Sequence, residues 1–284
     1  MMFALSTVGV AALSMTVLGL LFGAGLLAAA RALSSGEDPR VARALDLLPG
    51  VNCAACGYAG CRAYAEAVVA GQAVNLCLPG GPSVAAALAE LMGVELGEMV
   101  ARRAVVHCQG GRAECPDRFR YVGEPDCLAA HLTSGGPKAC LYGCLGLGSC
   151  ARACPFGAIV IDDNALPVID ESKCTACGIC VDTCPRHLIS LLPQQYRTYL
   201  GCSSHHRGKV VKDICSVGCI ACGLCAKRDP AGSITMADNL PVLDFEKADG
   251  DFTVAADVCP AHCFVLAASP ARVDALTAAG AAGA

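Results

Sequence analysis

The chain has 284 residues, of which 22 are cysteine, 55% apolar and 16% charged, with no Trp and a formal charge of −4. So much Ala, Val, Leu and Ile excludes a disordered chain, and the lack of a basic excess leaves no footprint for nucleic acid. The length admits one to three domains, and so many cysteines point to several small units rather than one conventional core.

Residues 1–30 carry no charged side chain, and the apolar run 3–30 exceeds the roughly 20 residues that a bilayer span requires. Arg31 ends it, Arg40 and Arg43 follow, and no Lys or Arg precedes it. The positive-inside rule therefore predicts a cytoplasmic C-terminal side. A cleaved signal peptide would show a basic start and a shorter apolar run, so the segment reads as a retained single-pass anchor in the lipid bilayer. Gly9, Gly19, Gly23 and Gly25 would allow close packing on another membrane helix.

After a polar linker at 34–38, residues 31–106 read as a small α-rich domain. Helical turns at 41–48 end at Pro49-Gly50. Cys53, Cys56 and Cys61 follow, then a helix at 62–70 stopped by Gly71, then Cys77. Three loop thiolates and a fourth returning from the far end of the helix can close one four-thiolate site. Residues 83–106 are rich in Ala and Leu and read as packing helices.

Residues 107–139 read as an irregular connection, 140–192 as a two-cluster unit, 193–214 as a connector and 215–265 as a degenerate second unit. An Ala/Gly-rich tail occupies 266–284. The run Cys174-x2-Cys177-x2-Cys180-x3-Cys184-Pro185 is the bacterial ferredoxin pattern. Zinc sites use separated cysteine pairs, and disulfide scaffolds are short and secreted. Neither explains a third close cysteine followed by Cys-Pro. In such units the cysteine before Pro ligates the other cluster. This predicts one set of Cys174, Cys177, Cys180 and Cys154, and another of Cys140, Cys144, Cys150 and Cys184.

The second unit offers Cys219, Cys222 and Cys225, closed by Cys259. Asp229 stands where its other pre-proline cysteine belongs, and no later triad exists, so the partner cluster is lost whole. Asp229 as an iron ligand is the alternative. An internal repeat supports two units, since residues 154–173 echo 229–247, with short β-type runs flanking Asn164 and Asn239.

The expected fold class is α+β: an N-terminal transmembrane helix, a small α-rich Fe-S domain, then ferredoxin-like βαβ-repeat [4Fe-4S] units with small antiparallel sheets. Cys263 takes the place of Leu188 and reads as a core thiol. Cys108, Cys115, Cys127, Cys202 and Cys215 read as buried structural thiols. Four of them (Cys108, Cys127, Cys202, Cys215) would form a further cluster if 107–139 folded against 200–215. His205-His206 read as a solvated loop, His187 and His262 as packing residues or tuners of a cluster. No nucleotide fingerprint or P-loop is present, so electron carriage is legible and bond-making chemistry is not.

The order of an apolar helix, LLPGVNCAACGYAGCRAYAEAVVAG, CLPGG, CLYGCLGLGSC, CPFGAI and CSSHHRGK resembles the RnfB family, a component of the Rnf electron-transport complex, in its long anaerobe form, over residues 1 to about 265. The resemblance implies an iron–sulfur relay on the cytoplasmic side of a bacterial inner membrane. It implies about four [4Fe-4S] clusters, with a fifth left open. The partners implied are soluble ferredoxin and the membrane and flavin subunits of an ion-translocating ferredoxin:NAD oxidoreductase. The cysteine block at 53–77 is shared with corrinoid iron–sulfur proteins. An electron-feeding subunit of another anaerobic reductase, corrinoid- or hydrogenase-linked, is therefore the alternative, and a zinc scaffold is a third reading.

Overall fold

A computed structural model describes residues 2–33, 38–97, 99–248 and 251–266. Linker residues 34–37 and the tail from 267 lie outside the described residues. Helix α1 (Met2–Leu33) holds a 23-residue apolar stretch, Gly9–Arg31, long enough to cross a membrane. Large side chains such as Leu13, Leu20, Phe22 and Leu26 are exposed around it. Nothing lies within 4 Å of where a Cβ would stand on its four glycines.

Helices α2 (Pro39–Leu47), α3 (Cys61–Val69) and α4 (Gly81–Met92) pack on one another through Val41, Ala44, Tyr64, Val68 and Leu88. Asn52 sets the start of α3, because its Oδ1 accepts the Cys61 N–H at 2.9 Å. The buried Tyr64 hydroxyl donates to Ala73 O at 2.9 Å and accepts from Leu76 N–H at 3.2 Å, which ties the loop before Cys77 to α3. Two orphan loop groups are thus satisfied by one side chain.

Beyond α4 the reading of 83–106 as helices fails. The helix stops at left-handed Gly93, and the β-branched end of Arg-Arg-Ala-Val-Val forms strand β1 (Arg102–Val106), burying Ala104, Val105 and Val106. The remaining elements are α5 (Cys127–Leu132), α6 (Ser149–Ala153), β2 (Ile159–Ile161), β3 (Pro167–Ile169), α7 (Ile179–Thr183), β4 (Ile189–Pro193), β5 (Thr198–Leu200), α8 (Gly208–Ile214), α9 (Leu224–Arg228), β6 (Ile234–Ala237), β7 (Leu240–Leu243), α10 (Thr253–Asp257) and β8 (Phe264–Leu266). All strand pairs are antiparallel: β1 with β4, β2 with β3, β5 with β8, and β6 with β7.

The pairing shows two units of one plan, strand, insert, helix, hairpin, helix, strand. The first runs from β1 to β4 and the second from β5 to β8. Each therefore starts with a strand upstream of the boundary read from the cysteines, and the stretches read as connectors become inserts. His107 N–H donates to Leu188 O, and at the equivalent place Gly201 N–H donates to Cys263 O, both at 2.7 Å.

In the second unit, Phe252, Ile234, Ala255 and Cys225 are buried together, with Phe245, Ala248 and Leu243 against them. Phe245 stacks on Tyr196 at 4.8 Å and meets Phe252 edge-on at 5.2 Å. Ile234 and Leu243 correspond to Ile159 and Ile169 of the first unit, which border Cys154, Cys174 and Cys180. Aromatic packing thus stands where the first unit has a ring of thiols.

Candidate metal centres

The local chain explains how the thiols are presented. Helices α6, α7 and α9 each follow a left-handed glycine (Gly148, Gly178, Gly223) and carry a cysteine as second residue: Cys150, Cys180 and Cys225. In α10, where no triad exists, Phe252 takes the glycine's place. Each Cys-Pro turn closes on its own sulfur. Cys154, Cys184 and Cys259 accept an N–H from the fourth residue on, at 3.4, 3.4 and 3.3 Å. These turns pass through left-handed Gly157, His187 and His262. The two histidines therefore serve a backbone conformation that His tolerates better than most residues.

Asp229 keeps the same turn without sulfur. Its Oδ2 accepts the Ser233 N–H, the Ile234 N–H at 2.8 Å and the Ser233 hydroxyl at 2.8 Å. Burial works against its charge, but the hydrogen bonds from Ser233 and Ile234 outweigh it and hold the carboxyl below its usual range. Asp229→Ala is expected to destabilise the second unit by about 1–3 kcal/mol, measured as faster bleaching in urea, with iron content unchanged. Lost iron would make Asp229 a ligand.

Four small cavities are walled by cysteine. Cys154, Cys174, Cys177 and Cys180 line one, the outer site. Cys219, Cys222, Cys225 and Cys259 line another, with Cys263 beside them, the C-terminal site. Cys127, Cys144, Cys150 and Cys184 line a third, the inner site. Cys108, Cys115, Cys140, Cys202 and Cys215 line the fourth, at the junction of the two units. In the N-terminal domain, burial and then the neighbouring Cys61, Cys56 and Cys53 push the Cys77 thiol up, so these four also stand together.

The placement departs from the sequence reading at two residues: Cys140 does not join Cys144, Cys150 and Cys184, and Cys127 does. The cause is local. Asp126 caps α5 by accepting from Leu128 and Ala129 N–H. It also accepts from Ser149 Oγ at 2.7 Å, and Ser149 Oγ accepts the Cys127 N–H at 2.7 Å. This network holds Cys127 beside Cys150. Cys140 is drawn the other way, because Ala139 N–H donates to Pro116 O and the backbones of Asp117 and Lys138 pair as an isolated antiparallel β-bridge. No cysteine spacing announces this; the usable signal was a capping Asp before a lone cysteine.

Burial pushes the thiols of Cys144 and Cys180 up to about 12, and those of Cys150 and Cys202 up to about 11. Such groups give up their protons to a strong Lewis acid rather than to water. The C-terminal site differs. The S–H of Cys263 lowers Cys259 to about 5 and Cys219 to about 7, while Cys263 itself is driven up and stays protonated. His205 and His206 are not a free loop: both rings meet Tyr142 edge-on at 5.1 Å, and His205 Nδ1 lies 2.9 Å from Asp238 Oδ2.

Comparison with known proteins gives the chemistry. A family model for an "Fe-S cluster" matches residues 48–79, and one for a "4Fe-4S binding domain" matches 167–190. The chain is 42% identical over 248 residues to the B component of the Na(+)-translocating ferredoxin:NAD(+) oxidoreductase complex of Acetobacterium woodii, covering 87% of this chain and 74% of that one. It is 38% identical to the B component of an ion-translocating oxidoreductase complex of Methanosarcina acetivorans, covering 87% and 92%. The B component of the proton-translocating ferredoxin:NAD(+) oxidoreductase complex of Clostridium ljungdahlii is 43% identical, with 81% and 82% covered. The chain belongs to the RnfB family. As a member of that family it is an iron–sulfur electron-transfer subunit of an ion-translocating oxidoreductase. Its apolar α1 accords with membrane association.

Proposed function

We propose that this member of the RnfB family is anchored by α1 with its bulk in the cytoplasm, and that it relays electrons between soluble ferredoxin and the membrane and flavin subunits of a ferredoxin:NAD oxidoreductase coupled to ion translocation. Two ferredoxin-like units and the N-terminal domain carry the relay. Four [4Fe-4S] clusters are assigned to the N-terminal, outer, inner and C-terminal sites. When bound, these clusters supply reversible one-electron chemistry at low potential.

The carrying observation is that separate stretches of chain deliver at least four thiols to each of several small cavities in series. Cys53 is near enough to Cys177 to push its thiol up, and Cys150 does the same to Cys180. The N-terminal, outer and inner sites are thus neighbours. Among the described residues no three groups close on a point that would hold a single ion. A ring of thiols suits a cubane with iron at its corners better than a zinc ion. The chain's own part is to ligate by thiolate, to aim N–H groups at the sulfurs of Cys154, Cys184 and Cys259, and to keep water away by burial.

Anaerobic iron and acid-labile sulfide analysis tests this reading; zinc in place of iron would overturn it. Cys127→Ser is expected to remove about four iron atoms per chain, one cubane. Unchanged iron would return the fourth inner position to Cys140.

A further inference from the structure

The junction cavity is outside the four assigned sites, and three observations concern what it holds. The first is symmetry. Cys108 and Cys202 each lie two residues past the first strand of their units. Cys108 Sγ accepts the Cys144 N–H at 3.3 Å, and Cys202 Sγ accepts the Cys219 N–H at 3.2 Å. Cys115 and Cys215, one from each insert, are in thiol–thiol contact. The two inserts thus contribute matching pairs, and Cys140 adds a fifth thiol.

The second is bare backbone. A Cβ on Gly110 would stand 2.9 Å from Cys215 Sγ, and one on Gly218 would stand 3.6 Å from the same sulfur and 2.4 Å from Val211 Cγ1. Glycine is required for main chain to come this close.

The third is charge. Lys138 is 3% exposed and its Nζ donates to Gly111 O at 2.9 Å. Arg186 donates to the carbonyl oxygens of Cys140, Gly143 and Gly135. Among the described residues neither has a carboxylate in salt-bridge reach. Lys138 acts on Cys108 and Cys115, and Arg186, which lines the inner site, also feels Cys140 and Cys108, so both cations act on thiols of this cavity from behind its wall. Two half-buried or buried cations without a counter-ion are costly, and an anionic group among the thiols offsets that cost.

We infer that the junction cavity binds a fifth [4Fe-4S] cluster, held by four of Cys108, Cys115, Cys140, Cys202 and Cys215, which connects the clusters of the two units. The inference rests on the iron–sulfur reading above. Cys108 stands beside Cys144 of the inner site, and Cys202 beside Cys219 of the C-terminal site. One electron at a time passes from a reduced neighbour to the junction and on to an oxidised neighbour, with no bond made or broken. The C-terminal site is then an extension of the relay rather than an isolated centre.

The experiment is iron, sulfide and EPR spin quantification on the anaerobically purified full chain and on a Cys115→Ser/Cys215→Ser double variant. The double variant leaves three thiols in the cavity, too few for a cubane whichever four ligate. About 20 iron atoms per chain are expected, falling to about 16 in the variant, with the other signals kept. About 16 in the unmodified chain would overturn the junction site and leave the four-cluster relay standing. Zinc without iron would instead remove the reading beneath both. Should the variant fail to fold, the unmodified chain still decides between 20 and 16. Lys138→Met should also keep the iron and lower the potential of one EPR signal in a redox titration, as lost positive charge favours the oxidised cluster. Identical titrations would place Lys138 away from any cluster.

Discussion

Phe252→Ala is expected to destabilise the second unit by about 3–5 kcal/mol, the cost of removing a fully packed aromatic side chain. Phe252 is 2% exposed and sits between Ile234, Ala255 and the edge of Phe245. Its loss opens a cavity in a core whose counterpart in the first unit is walled by thiols. The edge-on contact adds about 0.5–1.5 kcal/mol beyond burial. Cys225 belongs to the same buried group, so the damage reaches the C-terminal site first. The measurement is the rate at which absorbance and EPR signals are lost in urea, since cluster loss makes unfolding irreversible. One component, the signal of the C-terminal site, should bleach at least about tenfold faster, with the rest unchanged. Phe252→Leu should recover most of the difference. Uniform bleaching of all signals would mean that the aromatic core does not belong to the second unit alone.

That core also shows what the cysteine pattern left unsaid. The missing triad and Asp229 announced a lost cluster, but nothing in the spacing told what fills its space; Phe245, Phe252 and Tyr196 meet there from three segments. Local features read well. The helix from Cys61 and the hairpins around Asn164 and Asn239 follow from short-range chemistry. Long-range features did not. β1 was hidden in an Ala-rich stretch, because its partner β4 lies over 80 residues on and supplies the burial that propensity lacks. Cys127 stands in the cavity expected of Cys140 for a related reason. Their positions depend on Ser149, on the backbone pairing of Asp117 with Lys138 and on the Pro116 carbonyl, contacts that no run of cysteines encodes.

Arg103→Ala should loosen the joint between the two units by about 1–3 kcal/mol, the scale for leaving part-buried carbonyls without their charged donor. Arg103 lies on β1 with its side chain 1% exposed, and Glu171, 26% exposed, stands 3.4 Å from its Nε. That Nε makes no well-aligned hydrogen bond, so the contact with Glu171 is an ion pair through space. The two terminal nitrogens are better placed: Nη1 donates to Gln194 O at 3.1 Å and Nη2 to Tyr196 O at 2.7 Å. Residues 194–197 join β4 to β5, so one guanidinium fixes the chain that leads from the first unit to the second. Burial lowers its pKa, yet an arginine stays protonated at any pH of interest. Truncation would leave the Gln194 and Tyr196 carbonyls short of a donor, and Glu171 with Arg197, 3.1 Å away, as its remaining ion-pair partner. Arg103→Lys keeps the charge but not the fork, and should recover only part of the loss. The first consequence should be seen at Tyr196, which stacks on Phe245, and so in hydrogen exchange of segment 194–200 before any loss of iron. Exchange unchanged in that segment, with iron lost at once, would place the contribution of Arg103 in the first unit's core and not in the joint.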